Sequence, residues 1–253
     1  MTPPHALAIF VVGAVAGAMN AVVGAGTLVT FPTLLALGYP SVTANVSNTI
    51  GLIPASVAGA VGYRRELAGR WRLVTWLALL AGTGGIIGGV LLLALPAGAF
   101  TWAVPVLLFA SAGLTAAQPR VAAALARRGD RPAQGGLALA VGVTLTGVYG
   151  GYFGAAQGVI LLALLGTLLA TSLQEANGVK NVLAGVANLV SAALFAAAAD
   201  VNWPVAGLIA LGSTVGGVVG ARYGRRLPSS ALRALIVVIA LVAGTWTLVR
   251  NVS

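Results

Sequence analysis

Apolar runs long enough to cross a membrane are the feature that most constrains what this chain can fold into. They cover residues 73–117, 137–170, 182–199 and 231–249, and a helix needs only about 20 apolar residues to cross a hydrocarbon core of about 30 Å. Only 7% of the residues are charged, against about 25% in soluble domains. The sequence therefore predicts an all-α polytopic membrane protein whose solvent is the lipid bilayer.

The chain has a net charge of +10, and the distribution of its arginines indicates a role in membrane topology. Arginines cluster at 64–72, 120–131 and 222–226, in the gaps between apolar runs, which is the pattern of cytoplasmic loops. We therefore expect no nucleic-acid partner, although the chain is basic.

The chain contains an internal repeat. "GAMNAVVGAG" (17–26) lies over "GVYGGYFGAA" (147–156) at a spacing of 130 positions. The matches at a spacing of 132 are Trp71 with Trp203, "GGIIG" (84–88) with "GGVVG" (216–220), and "LP" (95–96) with "LP" (227–228). This order predicts a first transmembrane repeat over 1–117, a cytoplasmic linker over 118–133 and a second repeat over 134–253.

Charges in equivalent loops predict that the repeat is inverted. The loop at 63–72 holds four arginines, whereas its counterpart at 199–203 holds only Asp200. The loop at 94–99 is uncharged, whereas its counterpart at 222–230 holds three arginines. Equivalent loops then face opposite sides of the membrane. Both termini are expected outside the cytoplasm, with Arg250 as a mild exception to the charge rule.

Inversion requires an odd number of crossings in each half. In the first half, three helices are predicted at 41–63, 72–94 and 99–117. The segment before them divides into 6–22 and 27–38 at Gly24–Gly26, and its counterpart divides into 134–152 and 157–171 around Gly150–Gly158. Each half thus has a broken or short helix pair plus three transmembrane helices. Whether 27–38 and 157–171 cross fully or re-enter stays open.

The two breaks are candidate sites because a broken membrane helix frees backbone groups that must face protein or a wet cavity. Transporters with inverted repeats bind their substrates at such breaks. Polar side chains near the breaks are Asn20, Thr27, Tyr149, Tyr152 and Gln157. In the alternative interpretation the glycines only allow close helix packing, as the small-residue pairs Gly13/Gly17, Gly84/Gly88 and Gly216/Gly220 are expected to do.

Lys180 is the only lysine in the chain. Ser172 and Glu175 have capping-box spacing, which puts Lys180 about 12 Å inside the helix that they begin. One helix face carries Asn177, Lys180, Asn181 and Asn188, and the positions matching them in the first half are Asn45, Asn48, Thr49 and Ser56.

These two polar stripes are expected to face each other across a pseudo-twofold axis. Since Glu175 points away and no other acid lies in a membrane segment, the simplest partner for Lys180 is an external anion. Alternatively, Lys180 snorkels or binds the carbonyls of a broken helix.

Other chemistry has little support in the sequence. The chain has four acidic residues, no cysteine, and a single histidine at position 5. No metalloprotease, nucleophile-elbow or phosphate-loop motif is present. We therefore expect no metal, no cofactor and no enzyme activity.

The segment "NAVVGAGTLVTFPTLLALGYPSVTANVSNTIGLIPASVAGAVGYRREL" (20–67) resembles the first-half signature of the sulfite exporter TauE/SafE family. "EANGVKNVLAGVANLVSAALFA" (175–196) is similar to the second-half element of its YfcA-like branch. The family's glycine triplet is Gly24-Ala25-Gly26 here, and Ala155-Ala156-Gln157 in the second half. The resemblance implies a multi-pass permease of the bacterial inner membrane that exports small anions such as sulfite or organosulfonates.

The predicted function is secondary transport of a small anion by alternating access. Lys180 supplies charge, and amides, hydroxyls and backbone N–H groups at the breaks supply donors. The predicted substrate-binding residues are Asn20, Gly24, Ala25, Gly26, Asn45, Asn48, Thr49, Gly154, Gln157, Asn177, Lys180 and Asn181. An anion channel and a membrane subunit of a larger complex are the alternatives. A coupling proton or ion and a homo-oligomeric state stay open.

Overall fold

The described part of the chain consists of α-helices joined by loops and contains no strand. In the computed structural model it comprises residues 1–126, 136–169, 172–223 and 229–252. Its helices are α1 (Pro3–Val22), α2 (Thr27–Ala36), α3 (Ser41–Gly51), α4 (Ile53–Gly62), α5 (Trp71–Ala94), α6 (Ala97–Ala126), α7 (Gly136–Tyr152), α8 (Gln157–Leu168), α9 (Leu173–Ala198), α10 (Trp203–Tyr223) and α11 (Ser229–Val252).

Six of these helices, α1, α5, α6, α9, α10 and α11, are long and apolar enough to cross a membrane, as judged by length and composition. This confirms the predicted all-α polytopic membrane protein. Helix α6 extends to Ala126 through the first part of the predicted linker, and the rest of that linker lies outside the described residues, as do positions 170–171 of the predicted helix 157–171.

The helix predicted over 41–63 is wrong as a single element, because the structure divides it at Leu52 into α3 and α4. Pro54 is the physical reason. It has no N–H to donate to the carbonyl of Ile50, and its ring crowds that carbonyl. Leu52 still donates its N–H to the carbonyl of Asn48 over 2.9 Å, so α4 follows α3 after this one residue.

The two predicted breaks end their helices in the same way. At the end of α1, Val23 and Gly24 both donate their N–H groups to the carbonyl of Met19, over 2.8 and 3.0 Å. At the end of α7, Phe153 and Gly154 donate to the carbonyl of Tyr149 over 2.9 and 3.0 Å.

Glycine is required at both breaks because Gly24 has a φ of +78° and Gly154 a φ of +74°. That left-handed conformation ends helices and costs residues with a Cβ. The breaks therefore arise from matching backbone geometry at matching repeat positions.

The first helix of each sequence half packs on a helix of the other half. Helix α1 lies along α10, and α7 lies along α5. A Cβ at Gly17 would lie 2.6 Å from the Cα of Ser213, and one at Gly88 would collide with the carbonyl of Val148. The small-residue pairs therefore lie at close contacts between helix backbones. These contacts join helices of the first half of the sequence to helices of the second half.

Candidate functional site

Helix α9 begins at the predicted capping box. Ser172 Oγ accepts from the N–H of Glu175 over 3.2 Å, and the Ser172 N–H donates to Glu175 Oε2 over 2.9 Å. Glu175 also forms an ion pair with Arg70, whose Nε lies 3.4 Å from Glu175 Oε1. Since this carboxylate is directed toward the loop after α4, it is not placed to neutralise Lys180.

Lys180 is buried at the centre of the molecule, with 1% of its surface exposed. Its Nζ donates to the carbonyl oxygen of Ala21 over 3.4 Å, and Asn181 Nδ2 donates to the same oxygen over 3.4 Å. Ala21 lies in the last turn of α1, where carbonyl groups lack partners within the helix. The second half thus places a cation and an amide on the broken helix of the first half.

The sequence left open that Lys180 binds a carbonyl group of a broken helix, and the structure contains such a contact. A 3.4 Å contact is long for a hydrogen bond, and an ammonium group has three N–H donors. Ala21 is the protein acceptor that the structure gives this ammonium within the described residues. The remaining donor capacity of Lys180 is what a bound anion would use.

The two breaks meet beside Lys180. The N–H of Gly158 donates to the carbonyl of Gly24 over 3.3 Å, and a Cβ at Gly24 would lie 2.5 Å from the Cα of Gly158. A Cβ at Gly158 would also lie 3.1 Å from Cδ of Lys180. The stem of Lys180 therefore lies against the point where the first break crosses the start of α8.

Asn45 binds the other break. Its Nδ2 donates to the carbonyl of Tyr152 at the end of α7 over 3.0 Å. Its Oδ1 is buried and has no hydrogen-bond partner among the residues that the structure describes. Thr49 directs its hydroxyl to the Asn45 carbonyl over 2.9 Å, so it is engaged within its own helix. Each half therefore sends one amide to the broken helix of the other half.

Asn48 fastens α3 to α2. It accepts from the hydroxyl of Thr30 and donates to Thr27 Oγ1 over 3.2 Å. Both ends of its amide are thus engaged inside the first half. Thr30 was missed from the sequence, although Thr27 and Thr30 are spaced to share one face of α2.

The remaining polar residues support the breaks from other directions. Asn20 Nδ2 donates to Ser56 Oγ over 3.1 Å. Gln157 Nε2 donates to the carbonyl of Thr146 over 3.3 Å, in space that a Cβ at Gly150 would fill. These contacts hold α1 to α4 and α8 to α7.

Asn177 lies one turn closer to the start of α9 than Lys180. Its Nδ2 donates to the carbonyl of Leu173 over 3.0 Å, and its Oδ1 is buried with no partner in the described part of the chain. The structure therefore brings Lys180 and Asn181 together at the crossing of the breaks. It places Asn45 at the end of α7 and leaves Asn177 nearer the end of its helix.

Two hydroxyl groups anchor the second break, that of Tyr149, which the sequence places near the break, and that of Ser111, which the sequence did not indicate. Tyr149 donates its hydroxyl to the carbonyl of Ala155 over 2.6 Å, and Ser111 Oγ donates to the same oxygen over 3.1 Å. Ser111 comes from α6, so its role could not be read from the spacing of residues around the break.

Backbone donors lie open at both breaks. Within the described chain, no hydrogen bond joins the N–H groups of Ala25, Gly26, Ala155 or Ala156 to a protein acceptor. All four residues are buried and immediately precede α2 and α8. Gly154, next to Ala155, is partly exposed. Helix N-termini carry partial positive charge and accept anions. With Lys180, they give the centre of the molecule a positive, donor-rich character.

Comparisons with known proteins identify a family and two relatives that are described as membrane transporters. The sequence profile described as "Sulfite exporter TauE/SafE" matches residues 9–247. The chain is similar to a "Probable membrane transporter protein" of Haemophilus influenzae, at 26% identity over 92% of this chain and 91% of that protein. It is also similar to "Probable membrane transporter protein ORF9" of a Sinorhizobium species, at 25% identity over 94% and 90% of the two chains. No solved structure matches it.

Proposed function

The chain belongs to the sulfite exporter TauE/SafE family of membrane transporters, and we propose that it exports a small anion such as sulfite or an organosulfonate. Transport is secondary and proceeds by alternating access of two inverted halves in the bacterial inner membrane. The substrate binds where the two breaks cross, between Lys180 and the open N–H groups that precede α2 and α8.

The observation that carries this proposal is the environment of Lys180. A charged group in the membrane interior costs several kcal/mol unless it is paired or hydrated. Among the described residues, the buried ammonium has one long contact to a carbonyl oxygen, and the nearest acid along its helix, Glu175, is paired with Arg70. An anion that enters the site would neutralise Lys180 and accept hydrogen bonds from the broken-helix termini.

Alternating access is supported by the reciprocal arrangement of the halves. Lys180 and Asn181 contact the end of α1, and Asn45 contacts the end of α7. A rocking motion of one half against the other would change both sets of contacts together. The substrate would then be released from one set of donors as the other side opens.

The first test is uptake into proteoliposomes of the purified protein. Radiolabelled sulfite, sulfate, alkanesulfonates and carboxylates are compared for wild type, Lys180→Met and Lys180→Arg. Since a hydrogen bond to a charged group is worth about 1.5–3 kcal/mol, Lys180→Met should lower the apparent affinity about 10- to 100-fold. Lys180→Arg retains the charge and should retain part of the affinity.

Equal thermal stability of the three proteins in detergent is the control for folding. If Lys180→Met transports every anion as wild type does, the substrate does not bind at Lys180. Counterflow distinguishes a carrier from a channel, because anion on the far side accelerates exchange only through a carrier. Transport that appears only when a second protein is added would instead indicate a subunit of a larger complex.

A further inference from the structure

Two asparagines at matching repeat positions make different contacts. Asn177 follows Asn45 by 132 positions, which is the spacing of the repeat. Asn45 Nδ2 reaches the other half of the chain and donates to the carbonyl of Tyr152 over 3.0 Å. Asn177 Nδ2 stays on its own helix and donates to the carbonyl of Leu173 over 3.0 Å. At this pair the repeat is therefore symmetric in sequence and asymmetric in its hydrogen bonds.

The carbonyl groups at the ends of the two broken helices differ in the same way. Tyr152 is the last residue of α7, and Val22, 130 positions earlier, is the last residue of α1. The Tyr152 carbonyl is held by Asn45. In the described part of the chain, no backbone N–H donates to the Val22 carbonyl, and Lys180 and Asn181 both bind the preceding carbonyl, that of Ala21. The acceptor that matches Tyr152 is thus left for Asn177.

Each of the two amides is held through its nitrogen atom alone. The Oδ1 atoms of Asn45 and Asn177 are buried and have no partner among the described residues. A neutral hydrogen bond contributes a net factor of only about 2 to 10 to the population of the state that contains it. Contacts of this strength can be exchanged when one half of a transporter moves against the other.

The two asparagines lie toward opposite ends of the predicted inverted repeat. Asn45 follows Ser41, the first residue of α3, by about one turn, and Asn177 follows Leu173, the first residue of α9, by the same distance. In an inverted repeat, helices at matching positions begin on opposite sides of the membrane. A contact made by Asn45 therefore joins the halves near one side, and the matching contact by Asn177 would join them near the other.

The end at which α3 begins contains a cavity of about 390 Å³, whose lining includes Ser41, Thr101 and Arg250. The contact between Asn45 and Tyr152 lies deeper along α3 than Ser41, and the Phe100 ring lies 5.5 Å from the ring of Tyr152. Between this cavity and the second break, the two halves are therefore joined by an amide bond and packed rings.

We propose that Asn45 and Asn177 are alternating latches, each of which closes one end of the transport path by binding the end of a broken helix. In the state described here, Asn45 holds Tyr152 and closes the end at which α3 begins. In the opposite state, Asn177 leaves Leu173 and donates to the Val22 carbonyl, and Asn45 turns to the carbonyl of its own helix at Ser41.

This role rests on the alternating access of the proposed function. It makes the two asparagines positioning residues that act through the broken helices, whereas the sequence analysis expected them to bind the substrate directly. Repeat symmetry supplies the partner of each latch, since Val22 matches Tyr152 and Ser41 matches Leu173.

The test uses single cysteines, because the chain contains none. Ala44 and Ala176 are spaced by 132 positions, precede the two asparagines, and are 1% and 0% exposed. Ala44→Cys and Ala176→Cys are each labelled with a water-soluble methanethiosulfonate in the full-length protein in nanodiscs, where both ends are accessible. Because each cysteine reacts when its own end opens, the ratio of the Ala44 rate to the Ala176 rate measures the balance of the two states.

Asn45→Ala should raise this ratio about 2- to 10-fold, because it removes one neutral hydrogen bond from the state closed at the α3 end. Asn177→Ala should lower the ratio, because the latch bond to Val22 is lost from the opposite state. The bond to Leu173 that it also removes is exposed, so its loss matters less. The double variant should return the ratio toward that of the parent.

Asn251→Ala is the matched control. It removes an amide bond of equal length between helices, from Asn251 Nδ2 to the carbonyl of Thr101 over 3.0 Å, and should leave the ratio unchanged. A rise of both rates together in Asn45→Ala would indicate general loosening and would overturn the proposal. A ratio that Asn177→Ala raises or leaves unchanged would overturn it as well. Thermal unfolding of each variant verifies that the protein is folded.

The latches and the proposed function fail separately, since labelling requires no transported anion. Counterflow of an anion with ratios that neither variant changes refutes the latches and leaves the transporter in place. Opposite changes of the ratio in a protein that shows no counterflow refute the proposed transport and leave the latches in place.

Discussion

At the scale of single residues, the centre of this protein depends on two glycines from different halves that touch. Gly24 and Gly158 share a hydrogen bond over 3.3 Å, and neither has room for a methyl group on the side facing the other. Their contact sets how closely the stem of Lys180 lies to both breaks. The position of the charge is therefore fixed by backbone packing as much as by its own hydrogen bond.

Gly24→Ala should destabilise the protein more than Gly38→Ala does. Both glycines have a positive φ, so each substitution carries a backbone cost of about 1–2 kcal/mol. A Cβ at Gly38 meets nothing within 4 Å, whereas one at Gly24 lies 2.5 Å from the Cα of Gly158. The extra loss is measured by thermal unfolding in detergent. Equal losses for the two variants would show that the breaks do not approach as described.

Some residues of the site are visible in the sequence and others are not. Lys180 stands out as a charge in an apolar run, and the Ser172–Glu175 spacing fixes the start of its helix. The Ala21 carbonyl and Ser111 carry no such signal, because their contacts join positions far apart in the sequence. Arg250 was read only as an exception to the charge rule, since the cavity that it lines is formed by residues of four separate helices, α2, α3, α6 and α11.

At the scale of helices, glycine and proline determine where the chain bends. The breaks at Gly24 and Gly154 were predicted because glycine-rich segments interrupt apolar runs at matching repeat positions. The division at Leu52 was missed, although Pro54 marks it, because proline is common in the first turn of a helix and does not by itself indicate where a new helix begins. Which helices pack against each other depends on the whole fold, so the positions of glycine and proline alone could not predict these contacts.

Gly216→Ala should loosen the packing of α1 on α10, whereas Gly207→Ala on the same helix should not. A Cβ at Gly216 would collide with the carbonyl of Ala14, and one at Gly207 meets nothing within 4 Å. Alanine is favoured over glycine in helices by about 1 kcal/mol, so Gly207→Ala should be neutral or stabilising. Gly216→Ala should lower the thermal midpoint despite that gain, and a midpoint equal to that of Gly207→Ala would contradict the packing.

At the scale of the whole molecule, the inverted topology is a prediction that labelling can test. The chain contains no cysteine, so single cysteines can be introduced cleanly. Asp200→Cys should react with a membrane-impermeant maleimide on intact cells, because its loop is expected outside. Ala68→Cys, also at an exposed position, should react only after permeabilisation.

Labelling of both cysteines from the same side would exclude the inverted repeat. It would leave the helices and the site geometry unchanged, since these do not depend on which side of the membrane each loop faces.

The pairing of α1 with α10 has a consequence for how the protein is made. Helix α1 ends at Val22 and its partner begins at Trp203, so at about 5–20 residues per second α1 waits about 10–40 s after its synthesis before that partner exists. During this time its glycine-lined face has no counterpart in the nascent chain, and the Ala21 carbonyl gains its donors, Lys180 and Asn181, only when α9 is made. We therefore expect the first helix to stay unpaired along this face until α10 is complete at Tyr223, and a chain released before that point would expose the face to membrane quality control.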